Sequence, residues 1–173
     1  FNESLPFATI AEKYIKATNG VAETTITSLK KAGNFNFTAE ALNYPIKEDS
    51  LYVHPLDPDY ITIEADSNIL PVGGYTQTNF TIKLFDKHGN IINNDASKFT
   101  IETTGGLTIG SEIADLNSEK DGIQTSTYEG TISGAIRSGN KIGPSKLIVS
   151  LTKSPEIQQE FQIDLIEDPN IKI

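Results

Sequence analysis

Gly20–Val53, GVAETTITSLKKAGNFNFTAEALNYPIKEDSLYV, and Gly130–Ile163, GTISGAIRSGNKIGPSKLIVSLTKSPEIQQEFQI, are two versions of one stretch, 110 positions apart. Gly20 falls on Gly130, Ile26 on Ile136, Ser28 on Ser138, Lys31 on Lys141, Gly33 on Gly143 and Pro45 on Pro155. The apolar phase matches too: Phe37, Ala39 and Ala41 land on Leu147, Val149 and Leu151, and Leu51 and Val53 on Phe161 and Ile163. A match that keeps a period of two keeps the same residues facing a core. One residue out of step, Asp57-Pro58 meets Asp168-Pro169. Self-similarity decides architecture before any single motif does. It predicts a unit of about 110 residues, complete over 57–173 and represented over 1–56 only by its C-terminal half, with the first 19 residues unmatched.

Working outward, strand signals dominate. Asp59–Ala65 alternates with Ile61, Ile63 and Ala65 on one face, and Thr76–Phe85 points Phe80, Ile82 and Leu84 inward. Asp86-Lys87-His88-Gly89-Asn90 reads as a hairpin turn in which Gly89 supplies the positive φ. Phe99 and Ile101 mark a further strand, Gln124–Arg137 a long strand or a bulged pair, and Lys146–Leu151 with Gln159–Ile166 a closing hairpin. Ser111–Asp121 is polar and loop-like. Ala8–Thr18 admits two readings, a helix with Ile10, Tyr14 and Ala17 sharing a face, or a strand with Phe7, Thr9 and Ala11 alternating. Short strands between turn signals predict an all-β sandwich. His54–Asp59, HPLDPD, is the boundary, stiffened by Pro55 and Pro58.

Composition excludes several functions. The 173 residues carry 23 acidic and 14 basic side chains, a net charge of −9, with no Cys, Met or Trp. Nucleic acid needs a basic footprint, yet the longest basic run is Lys30-Lys31. The same balance disfavours an anionic membrane surface, and no apolar run is long enough to span a bilayer. Without Cys there is no disulfide, thiolate metal site or Cys nucleophile.

Three elements then point to a family: GYTQTNFTIKLFDKHGNII from Gly74 to Ile92, FTIETTGG from Phe99 to Gly106, and the Gly130, Ser138, Gly143 spacing that leads into a hydrophobic strand. Together they resemble the bacterial immunoglobulin-like repeats of invasin- and intimin-type adhesins, modules found also in surface-layer proteins and as spacers in secreted polysaccharide-degrading enzymes. The resemblance covers 57–169 well and 20–56 in part. It implies an immunoglobulin-like β-sandwich, one complete domain preceded by a partial one, at the cell surface or outside the cell. It also implies a non-catalytic structural or adhesive role, such as an adhesin stalk or surface-layer protein, with an accessory domain of a secreted carbohydrate-active enzyme as the alternative. Expected partners are neighbouring immunoglobulin-like domains and a host or cell-surface ligand, with no nucleic acid and no membrane insertion. These motifs specify fold far better than function.

Candidate site residues are few. Asp57, Asp59, Asp86, Asn90, Asp95 and Asp168 are oxygen ligands at turns and joints, and Asp57, Asp59 and Asp168 are the expected calcium ligands if an inter-domain ion stiffens the joint. No other cofactor is expected. The competing reading is turn chemistry, where Asp and Asn bond their own backbone. Three glycosylation sequons begin at Asn2, Asn36 and Asn79, the last two with Asn outward and Phe inward on strands. His54 and His88 are the only histidines; a zinc site needs three or four ligands and a triad a positioned base, and the plainer reading of each is an exposed histidine. Lys83 and Lys146 face outward, which disfavours an isopeptide crosslink. Tyr52, Tyr60, Tyr75 and Tyr128 are candidates for a sugar platform, against a plainer role at the core edges. Half a sandwich leaves open strand edges and a bare apolar face from Phe35, Phe37 and Val53.

Overall fold

A computed structural model of the chain describes residues 7–93 and 96–169. Asn2 and Asp95 lie outside the described residues. The chain divides into two compact units, one ending at Leu56 and the other beginning at Asp57.

Among its described residues the first unit has four strands, β1 (Ala8–Ile10), β2 (Ile26–Ser28), β3 (Gly33–Ala39) and β4 (Lys47–Val53). They form two separate antiparallel ladders, β1 with β2 and β3 with β4. Neither ladder closes over a core: Ala8 alone is buried among the described residues of this unit. The helix reading of 8–18 does not form; three residues pair as β1, with Ala8 buried and Thr9 exposed, so the inward phase is the opposite of that read from Phe7, Thr9 and Ala11.

Among its described residues the second unit has nine strands: β5 (Pro58–Ala65), β6 (Ile69–Pro71), β7 (Gln77–Asp86), β8 (Lys98–Thr103), β9 (Leu107–Ile109), β10 (Ile123–Ser126), β11 (Thr131–Ser138), β12 (Gly143–Leu151) and β13 (Ser154–Ile166). One sheet runs β5-β7-β11-β9 and the other β10-β8-β12-β13-β6. All pairings are antiparallel except β6 beside β13. Side chains from both inner faces interdigitate as in any aligned sandwich. Phe80, Ile82 and Leu84 of β7 and Ile136 of β11 meet Phe99 and Ile101 of β8, Leu147 and Val149 of β12, and Ile163 and Leu165 of β13 in one cluster. Each such fully buried side chain contributes roughly 1.5–3 kcal/mol relative to exposure. The unit is an immunoglobulin-like β-sandwich.

Strand β7 shows how sequence sets the layer. Its buried positions are Thr78, Phe80, Ile82, Leu84 and Asp86, every second residue. Asp86 takes the last inward place because its carboxylate closes the turn: Oδ1 accepts from the amides of His88 (2.8 Å) and Asn90 (2.9 Å), and Oδ2 accepts from Asn90 Nδ2 (2.8 Å). A buried carboxylate is tolerable only when paired in this way.

Gln124–Arg137 is not one strand. β10 and β11 belong to different sheets, and the chain passes between them through Tyr128–Thr131, where Glu129 (φ 49°) and Gly130 (φ 75°) are both left-handed. The same turn stands in the first unit at Thr18–Val21, with Asn19 at φ 53° and Gly20 at φ 81°. Each turn is closed by paired backbone bonds, Thr18 with Val21 (2.8 and 3.1 Å) and Tyr128 with Thr131 (both 3.0 Å). Two consecutive left-handed residues define a type I′ turn.

The equivalence extends through both ladders. Ile26 and Ser28 of β2 occupy the places of Ile136 and Ser138 of β11. Ala8-Thr9-Ile10 pairs with Ser28-Thr27-Ile26 as Leu107-Thr108-Ile109 pairs with Ser138-Arg137-Ile136, so β1 is the counterpart of β9. Ala8–Ile10 therefore have a counterpart, at an offset of 99; the Ser111–Asp121 loop and β10 lengthen the second unit at this point. The β3–β4 hairpin stands where β12–β13 stands, Gly33 (φ 145°) beside Val53 and Gly143 (φ 129°) beside Leu165. Leu51 thus matches Ile163 rather than Phe161. The second hairpin absorbs two extra residues near its Ser150/Leu151 bulge, and a shift of two leaves every side chain on its own face. Ser154–Glu160 is the first half of β13 and not a loop. Counterparts of β5 to β8 are not found among the described residues of the first unit.

Candidate functional site

An open groove of about 1060 Å³ lies within the first unit, lined by residues of both ladders. Ile10, Ile15 and Ile26 line one side, and Asn36 through Glu40 the other. Glu48, Asp49 and Ser50 of β4 line it as well, so the groove lies against the β3–β4 ladder. Both β2 and β3 have a partner on one side only. In the second unit the same two positions are central: β11 lies between β7 and β9, and β12 between β8 and β13. Counterparts of β7 and β8 would pair along those two edges.

Burial records the difference. Ile136, Leu147 and Ile163 are each 0% exposed, whereas their counterparts Ile26 and Phe37 are half-buried and Leu51 is 45% exposed. Phe35 and Phe37 stack on each other at 6.2 Å for want of other cover. Phe35, Phe37 and Val53, expected to form a bare apolar face, are all half-buried. Ser138 Oγ bonds Thr76 Oγ1 at 2.8 Å, in the connection from β6 to β7, while its counterpart Ser28 is exposed.

The sequence-predicted residues are dispersed. Asp57 and Asp59 are exposed at the start of β5, at the end where Pro58 pairs with Asp86. Asp168 is half-buried beyond the end of β13, at the opposite end, where Asp164 pairs with Ile69 and Asp66 bonds Asn79. The structure does not bring the three carboxylates together, and among the described residues no group of three His, Asp or Glu side chains is placed to hold a metal ion. Asp86 and Asn90 serve their own turn. Asn36 and Asn79 are exposed on strands, as the sequons require, and Asn79 Nδ2 donates to Asp66 Oδ2 at 2.9 Å.

His54 packs edge-on against Tyr52 at 4.8 Å, and His88 is exposed in the hairpin turn. Tyr60 stacks on Phe85 at 5.1 Å. Tyr75 and Tyr128 are exposed at opposite ends of the second unit, beside the Gln77–Arg137 and Lys83–Thr131 pairs, so they share no platform. Lys83 and Lys146 face outward to Glu64 (3.5 Å) and Glu160 (2.6 Å). No helix among the described residues is long and apolar enough to cross a membrane.

No family model and no curated protein matches the chain. Solved structures do. A solved structure of FdeC, an Escherichia coli adhesin, is similar at 17% identity and a TM-score of 0.62, over 92% of this chain and 48% of that one. A β-glycosidase from Bacteroides vulgatus is similar at 14% identity and 0.56, over 88% of this chain and 20% of that one. A glycosyl hydrolase family 2 member from Bacteroides cellulosilyticus is similar at 15% and 0.56, over 87% and 21%. The chain thus spans about half of the adhesin and about a fifth of each enzyme. At these identities the likeness is one of fold.

Proposed function

We propose that the chain is a non-catalytic structural or adhesive immunoglobulin-like segment of a larger cell-surface protein, a spacer or display element outside the cell. The observation that carries this reading is the tandem repetition itself. One half-sandwich framework occurs twice, with the same type I′ turn and the same hairpin glycine, on either side of a short Pro-containing joint. An array of that kind sets distance and orientation. Catalysis is a poor fit: His54 sits against Tyr52, His88 lies in an exposed turn, and the core cluster of the second unit is apolar. The fold likeness to the adhesin supports the reading without carrying it. The partners that it implies are adjoining immunoglobulin-like domains and a host or cell-surface ligand.

Protease shaving of intact cells that make the protein tests it. Release of peptides from 57–169 before lysis is the expected result; release only after lysis overturns it. The fold likeness to parts of two glycosidases favours one second reading, an accessory domain of a secreted carbohydrate-active enzyme. Glycoside hydrolysis by the parent polypeptide, abolished by substitutions outside this chain, would establish it.

A further inference from the structure

We infer that Asn19 is a site of spontaneous covalent modification: with time it converts to isoaspartate and aspartate, and the isoaspartate unlatches the turn in which it stands. Asn19-Gly20 is the only Asn-Gly pair in the chain; every other Asn is followed by a bulkier residue. Glycine has no Cβ to hinder an approach to its own nitrogen. A Cβ built on Gly20 would meet nothing within 4 Å, so the ground around it is open, and Asn19 itself is exposed. The turn is closed by Thr18 and Val21, and among the described residues the Gly20 N–H makes no hydrogen bond.

The reaction uses only the chain and water. The Gly20 nitrogen attacks Cγ of Asn19; the N–Cγ bond forms, the Cγ–Nδ2 bond breaks, and Nδ2 leaves as ammonia with the proton that the Gly20 amide gives up. Water then opens the five-membered imide. Opening at Cγ leaves aspartate with the main chain unaltered. Opening at the main-chain carbonyl leaves isoaspartate, whose main chain runs through Cγ and is one carbon longer. A type I′ turn has no room for that carbon, so the paired bonds of Thr18 with Val21 are lost.

The same turn stands twice, and only one copy is vulnerable. At Tyr128–Thr131 the left-handed residue is Glu129, whose carboxylate has no ammonia to expel, and Gly130 is buried against the Ile92 carbonyl. At Thr18–Val21 the bridge is isolated, no strand adjoins it, and residues 16–25 are all exposed. While Asn19 is left-handed, the Gly20 nitrogen points away from Cγ, so the imide closes only from an opened turn. A turn with no buried contacts opens readily.

The test is to hold the 173-residue chain in neutral buffer at physiological temperature, digest samples taken over days, and map them by mass. Protein L-isoaspartyl methyltransferase with labelled S-adenosylmethionine counts the isoaspartate. Position 19 is expected to convert before any other Asn. Asn19→Gln, for which Glu129 is the precedent in the twin turn, should remove the label from that peptide. Conversion should run about 10-fold faster in urea than in the folded chain, since it waits on opening. Label undiminished by Asn19→Gln would overturn the proposal. So would an unaltered position 19 in the folded chain while a free peptide of residues 14–25 converts alongside it.

Discussion

Leu147→Ala and Phe37→Ala remove side chains from equivalent places on equivalent strands, and they should differ several-fold in cost. Leu147 is 0% exposed and belongs to the central cluster of the sandwich. Truncating such a leucine loses its transfer energy and leaves a cavity, together about 3 kcal/mol within a usual range of roughly 2–5. With a urea slope of about 2 kcal/mol/M for a domain of this size, the midpoint should fall by about 1.5 M. Phe37 is half-buried on the open groove, so much of its ring keeps its contact with water and no closed cavity forms; the expected cost is under about 1 kcal/mol. Without Trp, the transition is followed by far-ultraviolet circular dichroism, with tyrosine emission as the second probe. A Leu147→Ala midpoint within about 0.3 M of the parent would refute the inward assignment of β12. Equal costs for the two substitutions would refute the open groove.

Asp86→Ala removes the acceptor of three hydrogen bonds and strands two amides and Nδ2 of Asn90; a loss of about 3 kcal/mol in chemical denaturation is expected, and a loss under about 1 would show that the turn closes without it. Gly130→Ala should cost more than Gly20→Ala. Both positions are left-handed, worth about 1 kcal/mol each, but a Cβ at 130 would stand 2.5 Å from the Ile92 carbonyl oxygen, whereas one at 20 meets nothing within 4 Å. Equal melting shifts for the two would contradict that difference. Lys146→Ala breaks a half-exposed pair with Glu160, and thermal melts should register no more than about 0.5 kcal/mol, less still in about 0.5 M salt.

Strand β7 was legible because its alternation is unbroken from Phe80 to Leu84 and a turn of obvious chemistry ends it. The division between β10 and β11 was hidden for two reasons. The buried residues there are Gln124, Thr125 and Thr127, all polar, so hydrophobic periodicity does not register them. The turn itself uses Glu129 in a left-handed conformation, where Asn or Asp is the usual signal. Its twin in the first unit does carry that signal, Asn19-Gly20, and reading the echo backward would have found it. Strand β1 escaped because its match lies at an offset of 99, eleven positions from the dominant one, and three residues are too few to reveal an alignment on their own. The start of β13 was masked by Ser154-Pro155, which reads as a turn although Pro is admissible at the first positions of a strand. The groove was half legible: the bare face of Phe35, Phe37 and Val53 is a pattern of composition, but its continuity with the free edges of β2 and β3 is a property of pairing, which no single stretch of sequence contains.

The one parallel pairing, β6 beside β13, has a mechanical meaning. The second unit is entered at the Pro58 end and left at the Ile166 end. Tension along the polypeptide therefore draws β5 and β6 one way and β13 the other. Asp164 N–H to the Asn68 carbonyl and Val72 N–H to the Ile166 carbonyl lie across that direction, at 2.8 and 2.9 Å. Bonds set crosswise to a pull share the load together, where a hairpin opened from its tip would yield one rung at a time. In a spacer of the kind proposed, this is the direction in which the chain would be pulled.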